Sequence, residues 1–179
     1  MYNLKKIEII KITKANTSQA KLFSKISVPS FLTAHGHSAP PKDMDAYIAN
    51  NFKESDFIEE LETPENEYYL LEYESQTAGY SKIIFNKTCK DVTAKNITYM
   101  SRLYLLEEFY GLGLGKKLFD FNVALCKENN QSGIWLNVWV ENKKAIQFYK
   151  KVGFTIVGET DFQISASHSN PNHIMYLAF

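Results

Sequence analysis

The chain opens with isoleucines set among lysines and a glutamate, from Lys6 to Thr13 (KIEIIKIT), a β-branched run that predicts a strand. Asn16, Thr17 and Ser18 follow with side-chain oxygens suited to capping a helix, which should run for about a dozen residues and end before Pro29. Ser30 to Pro41 (SFLTAHGHSAPP) combines a glycine, two histidines and a proline pair, so it reads as a loop ahead of a second helical region from Lys42 to Leu61. A loop and helix of this kind are expected to shape a binding cleft.

Further along, Glu67 to Tyr73 and Ala78 to Phe85 are aromatic and aliphatic runs separated by ESQT, the pattern of an antiparallel hairpin. Asn96 to Leu106 predicts a longer strand. Leu114, Leu118, Phe121 and Leu125 then recur at helical spacing, and the period returns to that of a strand at Ile134 to Val140. A last helix, Lys143 to Val152, should stop at Gly153, followed by strands Phe154 to Glu159 and Ile174 to Phe179 on either side of a polar loop. The order predicts a mixed α/β fold with helices inserted into a mostly antiparallel sheet.

The 179 residues, 45% hydrophobic and 14% aromatic, suit one domain spanning 1–179 rather than two. Twenty basic residues balance twenty acidic ones, which leaves no surplus of positive charge with which to hold nucleic acid. The first residues lack the apolar run and small-residue cleavage site of a signal peptide, and no stretch reaches the length of a membrane span. Cys89 and Cys126 have neither metal-site nor redox-pair spacing, as expected of free thiols in a reducing cytoplasm. His35 and His37 flank Gly36, too few ligands for a metal, and none is assigned.

The segment from Leu103 to Leu118 (LYLLEEFYGLGLGKKL) holds the most chemistry. A strand runs into Gly111, Gly113 and Gly115 and then straight into an amphipathic helix. Amides at a helix N-terminus, unobstructed by side chains and helped by Lys116 and Lys117, can cradle a pyrophosphate. The spacing excludes a P-loop, because Lys117 stands where Ser or Thr is required. It excludes the dinucleotide fingerprint too, whose third glycine would be Lys116.

These residues resemble the GCN5-related N-acetyltransferase (GNAT) family, whose signature is Arg/Gln-x-x-Gly-x-Gly/Ala between a central strand and a long helix. The match here is Tyr110-Gly111-Leu112-Gly113-Leu114-Gly115, with Tyr110 where the family usually has Arg or Gln. A second signature follows in ENKKAIQFYKKVGF, where Asn142, Ala145, Phe148, Tyr149, Gly153 and Phe154 match Asn-x-x-Ala-x-x-Phe-Tyr-x-x-x-Gly-Phe. The resemblance implies a twisted sheet of about six to seven strands with flanking helices. It also implies a transfer of acetyl from acetyl-CoA to a primary amine by direct attack.

Carried over position by position, Leu103, Tyr104 and Leu105 would bond the pantetheine arm through their backbone, and Tyr110 to Lys116 would surround the pyrophosphate. Asn142, Ala145 and Phe148 would line the cofactor. Tyr149 would be the general acid that protonates the departing thiolate, a role a phenol can fill at neutral pH. No base is marked; His35, His37, Glu72 and a chain of waters are all open. From Glu54 to Glu74 there are nine acidic residues and no Lys or Arg, which suits a cationic acceptor. The same half also resembles bacterial spermidine/spermine acetyltransferases, so a polyamine is one expectation. Peptides, proteins and other small amines are alternatives, as is a non-catalytic acyl-CoA sensor. A homodimer paired through the last strands is a further expectation.

Overall fold

The computed structural model describes residues 9–179. Seven strands form one sheet in the order β1 (Ile10–Lys14), β2 (Asn66–Tyr73), β3 (Gln76–Ile84), β4 (Ile97–Leu105), β5 (Gly133–Trp139), β7 (His168–Ala178) and β6 (Thr155–Ser165). Every neighbouring pair is antiparallel except β4 and β5. Helices α1 (Ala20–His35), α2 (Pro41–Asn51) and α3 (Glu54–Glu62) cover one face, and α4 (Leu114–Glu128) and α5 (Lys143–Lys151) the other. The fold class read from the sequence is the one observed. Part of the predicted opening strand, Lys6 to Glu8, lies outside the described residues.

Three boundaries differ from the sequence pattern, each for a physical reason. Helix α1 does not stop before Pro29 but continues to His35. A proline inside a helix costs about 3 kcal/mol. Against this, Phe23, Ile26, Ser27, Ser30 and Phe31 are buried at spacings that keep them on one helical face, and the stripe passes straight through the proline. Fully burying one large apolar side chain such as Phe31 contributes about 2 kcal/mol. The loop expected over Ser30 to Pro41 is thereby shortened to residues 36–40.

The helical region from Lys42 to Leu61 is two helices, because Phe52 turns inward at the break and Asp56 Oδ2 accepts from Lys53 N at 2.8 Å to start α3. The polar stretch SASHSNPN is mostly strand. β6 and β7 pair from Thr155↔Tyr176 to Ser165↔His168, and the polar side chains of β7 are satisfied by a distant loop. Asn170 Nδ2 donates to Ser38 Oγ at 2.7 Å, and His168 Nε2 donates to the Ser38 carbonyl at 2.8 Å. β7 is bonded along both edges, so it offers no edge to a second copy; the outer strand on that side is β6.

The feature that positions the site is the parting of β4 from β5. Their parallel pairing covers only Ile97↔Gly133, Thr98↔Ile134 and Tyr99↔Trp135, whereas β4 stays bonded to β3 as far as Leu105. Beyond Tyr99 the other edge of β4 is unpaired, and a gap opens through the sheet. A bulge lies at the same place: Lys82 pairs with Arg102 and Ile83 with Met100, leaving Ser101 extra. Tyr99 and Ser101 face the α1–α3 side by alternation, and the bulge turns Arg102 and Tyr104 to that side as well, while Met100, Leu103 and Leu105 pack on the α4–α5 side.

Candidate functional site

On the α4–α5 side, the chain leaves β4 through a short 3-10 turn, Glu107–Phe109, and enters the glycine segment. Gly111 and Gly113 have φ of +80° and +72°, a region glycine occupies without the steric cost a Cβ brings. A Cβ added at either would meet nothing within 4 Å, so the loop backbone faces open space. No side chain caps α4, whose first turn therefore presents unpartnered amides and the positive end of the helix dipole.

Within that segment only some of the predicted residues expose a side chain. Leu114 is 1% exposed and contributes backbone alone, while Leu112 is 44% exposed. Gly115 has ordinary helical geometry, and a Cβ there would sit 3.4 Å from Leu105, so its conformation does not demand glycine. Lys116 is held by Asp120, with Nζ 2.6 Å from Oδ2. Tyr110, exposed beside the loop, carries Lys144 Nζ of α5 over its ring at 4.4 Å from the centroid. A cation absent from the motif itself is thus brought to the loop from the second motif.

The second motif forms α5. Asn142 caps it, its Oδ1 accepting from Ala145 N at 3.1 Å, and Gly153 at φ +104° ends it. Ala145, Phe148 and Tyr149 pack against the core of this face. The Tyr149 ring lies 5.3 Å from Phe148 and 5.4 Å from Phe154. Burial pushes its phenol well above the ordinary value, so it is protonated at neutral pH.

On the α1–α3 side, a cleft of about 450 Å³ opens over the same stretch of β4. Phe31, Tyr47, Phe52 and Phe162 form an aromatic wall, with Tyr47 stacked on Phe31 at 5.3 Å and edge-on to Phe162 at 5.7 Å. In its floor, Glu60 of α3 accepts from Arg102 Nη2 at 2.9 Å, from Lys82 Nζ at 2.5 Å and from the Tyr68 hydroxyl. Arg102 also donates to Tyr68 and lies over the Phe57 ring at 5.4 Å. Burial alone would raise the Glu60 pKa, but Arg102, Lys82 and Tyr68 outweigh it and bring it to about 2. Asp56 and Glu59 line the cleft beyond this cluster.

The acidic run of the sequence is therefore divided rather than gathered. Glu67 pairs with Lys14 at 2.7 Å and Glu72 with Lys11 at 3.6 Å, both on β2, and Glu60 is neutralised by two cations. Only Asp56, Glu59 and Glu60 of the run reach the cleft. Of the bases considered, none lines it. Glu72 is ion-paired on β2, and His35 and His37 lie against Trp139. Burial first, then His37, lowers the His35 pKa to about 4.

The sequence reading missed Ser101, Lys82, Glu60, Arg102 and Tyr68. One signal was available: Arg102 is the single arginine among twenty basic residues, set within an otherwise apolar strand. Ser101 gave none, because nothing in a run of strand-forming residues marks where β4 parts from β5. Among the described residues, no cluster of three or more His, Cys, Asp or Glu could hold a metal. No helix among them is long and apolar enough to cross a membrane.

Residues 30–154 match the model of the acetyltransferase (GNAT) family. The chain is 30% identical over 153 residues to the uncharacterized N-acetyltransferase in pepI 3'region of Lactobacillus delbrueckii subsp. lactis, covering 86% of this chain and 88% of that one. It is 27% identical over 112 residues to an N-alpha-acetyltransferase of Sulfurisphaera tokodaii, covering 60% and 67%. Its fold superposes on the PaiA N-acetyltransferase of Thermoplasma acidophilum, solved in complex with coenzyme A, with a TM-score of 0.75 at 17% identity over 96% of this chain and 99% of that one. With both glycine-loop and α5 motifs seated on that fold, the chain belongs to the acetyltransferase (GNAT) family and is an acetyl-CoA-dependent N-acetyltransferase.

Proposed function

We propose that the chain acetylates a cationic primary amine at the gap between β4 and β5, with the two substrates arriving from opposite faces of the sheet. The observation that carries this is the gap itself, flanked by an open glycine loop on one side and an aromatic, carboxylate-rimmed cleft on the other. Acetyl-CoA lies along the free edge of β4. Backbone groups of Leu103, Tyr104 and Leu105 bond its pantetheine arm, and amides from Gly111 to Lys116 take its pyrophosphate. Tyr110 contributes by holding Lys144 beside that loop. Asn142, Ala145 and Phe148 complete the cofactor side, the first chiefly as the cap that orients α5.

The amine nitrogen attacks the thioester carbonyl carbon, and a β4 amide stabilises the negative charge that grows on the carbonyl oxygen. As the C–S bond breaks, the Tyr149 hydroxyl gives its proton to the departing sulfur and recovers one from solvent. The proton shed by the nitrogen leaves through water. The products are the acetamide, free thiol and one proton per cationic amine consumed.

For the acceptor, the aromatic wall and the Asp56 and Glu59 carboxylates favour a cation with an apolar stem, and a polyamine has that chemistry. A peptide α-amino group is the second reading, favoured by the similarity to an N-alpha-acetyltransferase. We place the activity in one domain and in the cytoplasm, consistent with two buried free cysteines, and any homodimer would use β6, where Ile156 and Phe162 are exposed. Thiol release from acetyl-CoA, measured against spermidine, spermine, aminoglycosides, amino acids and short peptides, tests the acceptor. Selective turnover of polyamines is expected; turnover confined to peptides would overturn the polyamine reading.

A further inference from the structure

Ser101 and Asn137 are the first residues past the parting of β4 and β5 that share the cleft-side face, one on each strand. Tyr99 and Trp135 are the last paired residues, and their rings stack on that face at 4.2 Å; Ser101 and Asn137 each stand two positions on. Alternation along β4 puts Ser101 on the face of Tyr99, and the bulge sets Arg102 beside it. Among the described residues, three buried side-chain polar atoms lack a hydrogen-bond partner, and Ser101 Oγ and Asn137 Oδ1 are two of them. Asn137 Nδ2 is directed to the Tyr99 hydroxyl at 3.5 Å, which leaves Oδ1 as its free end. An unpaired buried acceptor is costly, so two of them at one opening mark a place where a ligand supplies donors.

We propose that Ser101 Oγ and Asn137 Oδ1 receive the two N–H bonds of a neutral primary amine, aim its lone pair at the thioester carbonyl, and so select primary over secondary amines. This inference rests on the acetyl-transfer reading above and adds its acceptor geometry. A neutral primary amine has two N–H donors and one lone pair. With each donor held from one lip of the gap, the lone pair points into the gap, where the carbonyl carbon lies. A secondary amine has one N–H and would leave one acceptor buried without a donor, a mismatch that recognition sites reject strongly. Neither residue takes the proton: a carboxamide oxygen and a hydroxyl are poor bases, and both act as positioning groups that touch the nucleophile.

The test uses the full chain with acetyl-CoA and the best primary amine from the panel, paired with the N-methyl form of that amine. The wild type should favour the primary amine by about a hundredfold in kcat/KM. Asn137→Leu and Ser101→Ala should each lower kcat/KM for the primary amine about tenfold while changing the N-methyl amine less than threefold, so that selectivity collapses. The KM for acetyl-CoA should stay within twofold. Ser101→Thr, which keeps the hydroxyl, should restore selectivity, which a purely structural role for Ser101 would not predict. Equal losses on both amines, or unchanged selectivity in Asn137→Leu, would overturn the pair. A wild type that releases thiol with no amine at all would instead overturn the acetyl-transfer reading on which the pair depends.

Discussion

The two faces of the sheet were built in different ways. On the α4–α5 face, the elements that surround the gap come from two contiguous segments, Leu103 to Lys116 and Asn142 to Phe154, and each is held by its own neighbours: positive-φ glycines, an N-cap, a helix stop. On the α1–α3 face, the cleft draws on α1, α2, α3, β3, β4 and β6, and its polar floor joins residues up to 42 positions apart. A common co-substrate can be met by local backbone geometry that tolerates variation elsewhere. A particular acceptor needs side chains gathered from far along the chain.

The largest test of the contrast is on the first face. Tyr149→Phe removes one hydroxyl from a packed ring, so stability should hold while kcat falls about a hundredfold or more and the KM for acetyl-CoA barely moves. Steady-state kinetics on the two substrates checks it. An unchanged kcat would move the proton donor elsewhere and make Tyr149 a packing residue like Phe148.

A smaller but structural effect is expected on the second face. Arg102→Met leaves Glu60 with Lys82 and the Tyr68 hydroxyl as partners in a partly enclosed site. Fully buried pairs broken this way cost about 3–5 kcal/mol, and here the side chains keep 19% and 25% exposure, so about 2 kcal/mol is expected by urea denaturation. Adding Glu60→Leu should deepen that loss rather than return it, because Lys82, 12% exposed, would then be left without a carboxylate. A double variant as stable as the single would mean that the Lys82–Glu60 pair contributes nothing and that Arg102 acts through its stacking on Phe57 and Tyr68.

The smallest effect separates the end of α1 from the ion cluster by pH. His35 has a folded pKa of about 4 against 6.5 unfolded, so the unfolded chain binds more protons between those values. Its contribution to stability is complete above pH 6.5 and is lost as pH falls to about 4. Glu60, lowered from 4.5 to about 2, keeps its contribution above pH 4.5 and loses it only below that. His35→Phe should flatten the melting temperature between pH 6.5 and 4 by several °C, leaving the acid loss below pH 4 in place. An unaltered slope in that window would mean that another group titrates there.

The same contrast explains what could be read from the sequence. The glycine loop, α4, β5 and α5 were legible because each is set by residues within a few positions of one another, down to the stop at Gly153. The sequence pattern stops helix α1 at Pro29, a local signal, whereas the Phe31 burial that overrides it depends on Tyr47 and Phe52. The β6–β7 hairpin has the pattern of a polar loop because the partners of Asn170 and His168 lie at Ser38, about 130 residues away. The acidic run gave an acidic cleft only by composition; the fold sends Glu67 and Glu72 to β2 and spends Glu60 on Arg102. Arg102 and Tyr104 entered the site through a bulge, which shifts side-chain phase without changing residue type.

The measurement that tests the two-face account most directly is a crossed kinetic comparison of Gly113→Val and Glu59→Lys. Valine at φ +72° is strained by about 1–2 kcal/mol and puts a side chain into the open space over the loop, so the KM for acetyl-CoA should rise about tenfold or more with the amine KM unchanged. Glu59 is exposed on the cleft rim, and reversing its charge should raise the KM of a cationic amine several-fold without touching that of acetyl-CoA. Opposite selectivity of the two variants is the predicted result; two variants that shift both constants together would contradict the assignment of one face to each substrate.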